Sequence, residues 1–292
     1  MKKVIIWGAA SLGRIIYYLI KDKQDVLFFV DNDPANCLAV PCGKAVLSPS
    51  VLFETRFDII YIASHKSSKA IYNELTEKLN IDKSKIDCDF AFSDIVNDLL
   101  MSSRIRFLEE VSLFNSMKSI KGNVAELGVF RGDFAKEINR IFPNDILYLF
   151  DTFKGFDQRD LIRESSHNER YEQINEMMDF SKNYETSVTS VLSKMPFPDK
   201  IIIKEGFFPD SFDLENTYFS FVNIDVDLYE PIKASLEIFS EIMVNGGIIL
   251  VHNYFSGSTL GVRKAVDLFL ERKPSLRAIP IGDYTSIAII GF

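Results

Sequence analysis

The chain has 292 residues, of which 47% are hydrophobic and 25% charged, with a formal net charge of −8. Such a composition belongs to a folded globular protein with room for one large domain or two modest ones. It excludes the basic footprint of a nucleic-acid binder, and an acidic surface gains nothing at an anionic bilayer. No apolar run reaches membrane-span length, and the run after Met1-Lys2-Lys3 is too short for a signal peptide. Cys37, Cys42 and Cys88 form no CxxC pair, which predicts a reducing, cytoplasmic setting without disulfides or structural zinc. Phe occurs 25 times, a frequency that predicts large aromatic cores and a self-associating surface, hence a homo-oligomer.

In chain order, Lys3–Trp7 reads as an apolar strand, Gly8–Gly13 as a glycine turn and Leu12–Ile20 as a helix. Val26–Val30 is a second strand closed by Asp31, and Asp58–Ile62 a third, followed by a helix over 66–79. The polar stretch Asn80–Asp89 ends this unit. Helical spacing then fills Asp94–Met101 and Arg104–Ser119. At Asn123 the pattern restarts: strand Asn123–Leu127, turn Gly128–Gly132, helix Phe134–Ile141, strand Ile146–Phe150 closed by Asp151. Later strands are Lys200–Ile203, Phe219–Ile224 and Gly247–Val251, with helices over 184–195, 231–243 and 262–271. Leu276–Ile281 and Thr285–Ile290, joined at Gly282-Asp283, read as a hairpin. Alternating strands and helices imply parallel sheets. The fold class is therefore α/β, with two Rossmann-like units: a small one over 1–93, a helical linker over 94–118, and a larger one over 119–292 with a seven-stranded, mostly parallel sheet and a terminal antiparallel hairpin.

The second unit carries the chemistry. Gly128 and Gly132 let the backbone turn beside a ligand, with Glu126 at the preceding strand end. Asp151, one strand later, stands where a carboxylate accepts from ribose hydroxyls, with Thr152 next to it. No GxxxxGK[ST] cradle is present, and Glu126 would repel a pyrophosphate. A cationic, phosphate-free nucleoside fits better, and S-adenosylmethionine is such a ligand. Asp225 should emerge at the ligand-binding edge of the sheet, while Asp227 is placed to cap the helix that follows. The next strand delivers His252 and Asn253 to the same edge. Asp225, His252 and Asn253 together would surround one substrate hydroxyl or one divalent cation. Gln158–Asp179, with Arg159, Arg163, His167 and Arg170, has the length of a lid or acceptor wall.

Several stretches in order resemble the macrocin O-methyltransferase family over about 105–292. They are Gly122–Gly132, Leu149–Phe156, Glu205–Phe212, Asn223–Tyr229, Asn245–Tyr254 and Gly261–Asp267. The resemblance implies a class I methyltransferase fold and methyl transfer from S-adenosylmethionine to a hydroxyl of a sugar or related small molecule. Glu126, Gly128 and Asp151 would line the cofactor, with Glu205 and Gly206 near the adenine. It also implies a divalent metal, usually magnesium, holding the acceptor, with Asp225 matching a ligand position. This chain departs from the pattern at His252-Asn253, where the family carries acids. Two mechanisms stay open: a metal on Asp225, His252 and Asn253, or metal-free catalysis with His252 or Asp225 as general base. A rival reading is a nucleotide-sugar-binding regulatory protein with an inactive methyltransferase domain.

The first unit carries an approximate GxGxxG, with Gly8 and Gly13 in place, and Asp31 at the second strand's end. It resembles small Rossmann-like domains attached to sugar-processing enzymes, with Val30–Pro34 as the matching stretch. A nucleotide-binding module and a structural or dimerising domain are both compatible with it.

Overall fold

The computed structural model describes residues 1–33, 41–65, 67–167, 186–256 and 259–292. Pro34, Cys37, Lys66 and Arg170 lie outside them, as does the side chain of His167. The chain divides into two compact units, Met1–Leu100 and Met101–Phe292.

The first unit is built on β1 (Lys3–Trp7), β2 (Asp25–Val30), β3 (Val46–Leu47), β4 (Ile59–Ile62) and β5 (Ile86–Asp87), in the order β3-β2-β1-β4-β5. All four pairings are parallel. The edge strand β5 lies inside the stretch expected to be only a polar boundary. At two residues it is too short for an alternating pattern to mark it. Helix α1 (Ser11–Ile20) follows the glycine turn. A Cβ on Gly13 would stand 1.9 Å from the Gly8 carbonyl oxygen, and one on Gly8 would stand 2.7 Å from the Ala63 oxygen. Close backbone packing accounts for both glycines. Asp31 accepts from Ala9 N at 2.9 Å, tying the second strand to the turn. Helix α2 runs Ser68–Asn73 and is extended by a π-turn over Glu74–Lys78, within the helix expected there.

The two helices expected over 94–119 are one, α3 (Asp94–Lys118), because Ser102-Ser103 interrupts the apolar spacing without breaking the backbone. Serine in a helix interior costs only a few tenths of a kcal/mol, about an order of magnitude less than proline. From Met101 onward α3 belongs to the second unit and supplies Leu108 and Val111 to its core.

That unit contains β6 (Asn123–Leu127), α4 (Asp133–Ile141), β7 (Leu147–Asp151), α5 (Gln158–His167), α6 (Val188–Leu192), β8 (Ile201–Glu205), β9 (Phe219–Ile224), α7 (Tyr229–Ser240), β10 (Met243–Val251), α8 (Leu260–Arg272), β11 (Arg277–Pro280) and β12 (Ile287–Ile290). The strand order is β11-β12-β10-β9-β6-β7-β8. β12 runs antiparallel to both β10 and β11, and the remaining pairings are parallel. This is the class I methyltransferase arrangement. All six residues of β9 are buried, as expected of a central strand covered on both faces. The hairpin turn is longer than a Gly-Asp pair, because residues 281–286 separate its strands.

One group of Phe residues clusters in the core on one face of this sheet. The Phe239 ring lies 5.5–5.9 Å from those of Phe150, Phe208, Phe212 and Phe219, mostly edge-to-face. Truncating Phe239, which is fully buried, is expected to cost about 3–5 kcal/mol in urea unfolding. A loss below about 1 kcal/mol would mean that this cluster does not anchor the fold.

Candidate active site

The carboxyl edge of the second sheet opens into a cavity of about 230 Å³. Gly128, Asp151, Thr152, Gly206 and Asp225, all expected at the site, line it together with Asp157, Asp160, Asp227, Phe156 and Phe207. Glu205 lies at its rim, ion-paired with Lys154 at 3.5 Å. Gly132 is the left-handed N-cap residue of α4, φ 77°, packed against Val191 rather than lining the cavity.

Local backbone geometry explains several residue choices. Gly128 has φ +88°, and a Cβ there would meet the Asp225 carbonyl oxygen at 2.3 Å. Phe130, Phe153 and Asn253 are also left-handed, at φ 49°, 53° and 62°. That conformation costs most side chains energy and concentrates at functional loops, though asparagine tolerates it. Asp151 secures two of these loops. Its Oδ2 accepts from Val129 N and Phe130 N at 2.7 and 2.9 Å, and its Oδ1 from Phe153 N at 2.7 Å.

Beneath the edge lies a buried polar cluster that the local sequence does not announce. Arg104 of α3, 6% exposed, donates through Nη2 to Asp225 Oδ2 at 3.1 Å and to Asn223 Oδ1 at 3.3 Å. Its guanidinium lies 4.1 Å from the centre of the Phe134 ring. Asn223 in turn donates to Glu126 Oε1 at 2.9 Å. Glu126 is therefore not on the cavity wall but under it, and its Oε2 has no hydrogen-bond partner among the described residues. Burial first, and the Asp225 charge second, raise its pKa well above the ordinary carboxyl value.

His252 and Asn253 continue β10 beside Asp225, with His252 N donating to Ile224 O at 2.9 Å. Burial, then the Arg104 charge, lowers the His252 pKa, so the imidazole is neutral at neutral pH. Its Nδ1 lies 3.0 Å from Ser286 Oγ. Asn253 donates to Asp227 Oδ1 at 2.7 Å. Asp227 therefore does not cap the following helix as expected. The N-cap position of α7 is Leu228, and Glu164 Oε2 accepts from Tyr229 N at 2.8 Å. Of the expected lid, α5 contributes this Glu164 and the cavity residue Asp160, whose pKa burial and then Asp157 push up to about 7.

These residues do not fit a divalent cation. Magnesium prefers several oxygen donors, carboxylates foremost. Here one carboxylate is already held by a guanidinium, the imidazole is directed to Ser286, and the carboxamide is directed to Asp227. Among the described residues no group of three or more His, Cys, Asp or Glu is arranged to hold a metal ion. Nor is any helix among them long and apolar enough to cross a membrane.

Residues 59–286 match the family described as macrocin-O-methyltransferase (TylF), and residues 1–87 match one described as C2185-like, N-terminal. No curated protein matches the chain. Among solved structures, the O-methyltransferase NovP is similar at 18% identity with a TM-score of 0.51, over 64% of this chain and 78% of its own. The calicheamicin methyltransferase CalS11 is 18% identical over 77% of this chain and 91% of its own, TM-score 0.45. The O-methyltransferase TomG from Streptomyces achromogenes, solved with SAM, is 12% identical over 78% and 92%, TM-score 0.44.

The Glu126 shift has a consequence for stability. A carboxyl whose pKa is raised on folding binds its proton more tightly in the folded chain. Its contribution is full below the ordinary value of 4.5 and is lost as pH rises through the folded value. Glu126→Gln, which cannot ionise, is expected to gain melting temperature relative to the parent as pH rises above 4.5. A difference that stays constant with pH would contradict the assignment.

Proposed function

The chain belongs to the macrocin-O-methyltransferase family, and on that premise we propose that it is an S-adenosylmethionine-dependent enzyme that methylates a hydroxyl of a sugar or sugar-bearing small molecule. The observation that carries this reading is the charge of the cavity. Five aspartates line it beside a glycine turn, and the one nearest the sheet centre, Asp225, is already paired with Arg104. With Asp157 held by Arg159 at 2.9 Å and Asp160 pushed up to about 7, the carboxylates of Asp151 and Asp227 are the ones that repel a pyrophosphate and suit a cationic nucleoside. Phe156 and Phe207 supply apolar and aromatic surface.

S-adenosylmethionine supplies a sulfonium methyl open to attack by an oxygen nucleophile. The chain's part is to bind, orient and take one proton. Gly128 admits the ligand close to the backbone, and Asp151 holds the Val129–Phe130 and Phe153 loops around it. Asp225, fixed by Arg104, orients the acceptor hydroxyl. His252 would take the proton of the acceptor hydroxyl as that oxygen attacks the methyl group that S-adenosylmethionine would supply, the sulfur leaving with the electron pair. A neutral imidazole is suited to this step, because it can accept a proton at neutral pH. No metal is used.

Calorimetric titration is expected to show binding of S-adenosylmethionine and its homocysteine product, and none of NAD; failure of the first two to bind would overturn the reading. In a methyl-transfer assay against a panel of glycosides and nucleotide-sugars, activity should persist in EDTA. His252→Ala should lower kcat by about 10²–10⁴-fold, the usual contribution of a general base. Abolition of activity by chelator, restored by magnesium, would refute the metal-free route.

A further inference from the structure

The structure carries a second buried acid behind His252, in the segment joining β11 to β12. Asp283 is fully buried. Its Oδ1 accepts from the backbone N–H groups of Thr285 and Ser286 at 3.0 and 2.7 Å. Its Oδ2 accepts from Thr285 Oγ1 at 2.8 Å and from Ser286 Oγ at 2.5 Å. Four donors outweigh the burial and hold this carboxyl below the ordinary range, so it is ionised and can only accept.

The proton count then determines the histidine. Each hydroxyl has one hydrogen, and both are committed to Asp283. Toward His252 Nδ1, which lies 3.0 Å from Ser286 Oγ and 3.4 Å from Thr285 Oγ1, the two hydroxyls present only lone pairs. Nδ1 must therefore carry the imidazole proton and donate it. Nε2 is left with its lone pair and has no hydrogen-bond partner among the described residues.

We propose that Asp283, acting through Ser286 and more weakly through Thr285, is a positioning residue that holds His252 in the Nδ1–H tautomer and presents Nε2 as the basic atom of the site. The inference rests on the reading of His252 as the proton acceptor, and it adds the device that selects which nitrogen does the work. Its chemistry parallels the aspartate of a Ser-His-Asp triad, where an Asn replacement leaves the fold intact but imposes the wrong tautomer. Here a hydroxyl stands between acid and imidazole.

The test is the tautomer itself, read by long-range ¹H–¹⁵N correlation of the imidazole groups. The chain has three histidines, and His252→Gln identifies the signal. In the parent protein His252 should appear neutral and protonated at Nδ1. In Asp283→Asn the amide oxygen can keep the two backbone bonds while the amide N–H₂ donates to the hydroxyls. Their hydrogens are then released toward Nδ1, and His252 should switch to Nε2–H. Ser286→Ala leaves the Asp283 turn in place and should yield a mixed population, keeping the test available if Asp283→Asn does not fold. Affinity for S-adenosylhomocysteine should be unchanged in folded Asp283→Asn and Ser286→Ala. An Nε2–H signal in the parent protein, or an unaltered tautomer in folded Asp283→Asn or in Ser286→Ala, would overturn the proposal. Failure of the parent to bind S-adenosylmethionine would instead undo the methyltransferase reading, leaving the tautomer result interpretable on its own.

Discussion

A single buried guanidinium governs the charge of this site. Arg104 reaches the sheet edge from a helix, pairs with Asp225, bonds Asn223 and lies over the Phe134 ring. Removing either partner of such a pair typically costs about 3–5 kcal/mol, because the other charge is left uncompensated. The neighbours respond to the same positive charge and the same burial. Burial, with Asp225 holding the Arg104 guanidinium, pushes Glu126 toward its neutral form, and burial with the Arg104 charge pushes His252 away from its charged form. The cluster is thereby close to neutral under the cavity, while Asp151, Asp157, Asp160 and Asp227 face into it.

This arrangement accommodates histidine and asparagine where the resemblance implied acids. A cation supplied by the fold already answers Asp225, so further carboxylates at 252 and 253 would be anions without a partner. Asn253 also meets a backbone demand, since its φ of 62° is one that asparagine adopts more readily than most residues. Its carboxamide donates to Asp227, a bond that an ionised aspartate at 253 could not make. The His252-Asn253 pair is thus matched to Arg104, and the three are best understood together.

The same logic recurs at smaller scale in both units. Asp31 and Asp151 each end the second strand of their sheet and accept from backbone N–H groups of the preceding glycine turn. A carboxylate in that position stiffens the loop whether or not a ligand is bound. The first unit shares the device, and its glycines are required by contacts with Gly8 and Ala63 backbone atoms.

Features written in short spans were legible in the sequence. Alternating strands and helices, the glycine turns, Gly128, Asp151, Gly206 and Asp225 all lie within a few residues of the pattern that marks them, because backbone sterics and strand ends are local. The α/β class, the seven-stranded sheet and the family follow from such patterns in order. What tertiary structure alone decided depends on partners far apart in the chain. Arg104 meets Asn223 across 119 positions and Asp225 across 121. Glu164 rather than Asp227 serves the N-terminus of the helix at Tyr229, across 65. His252 finds Ser286 across 34. Hydrogen bonds and ion pairs of this kind have no spacing rule. They arise only when the sheet order brings separate strand ends and one helix face to a common edge. The sequence by itself therefore marked which strand-end residues meet at the cavity, and the folded chain decided the charges and hydrogen bonds around them.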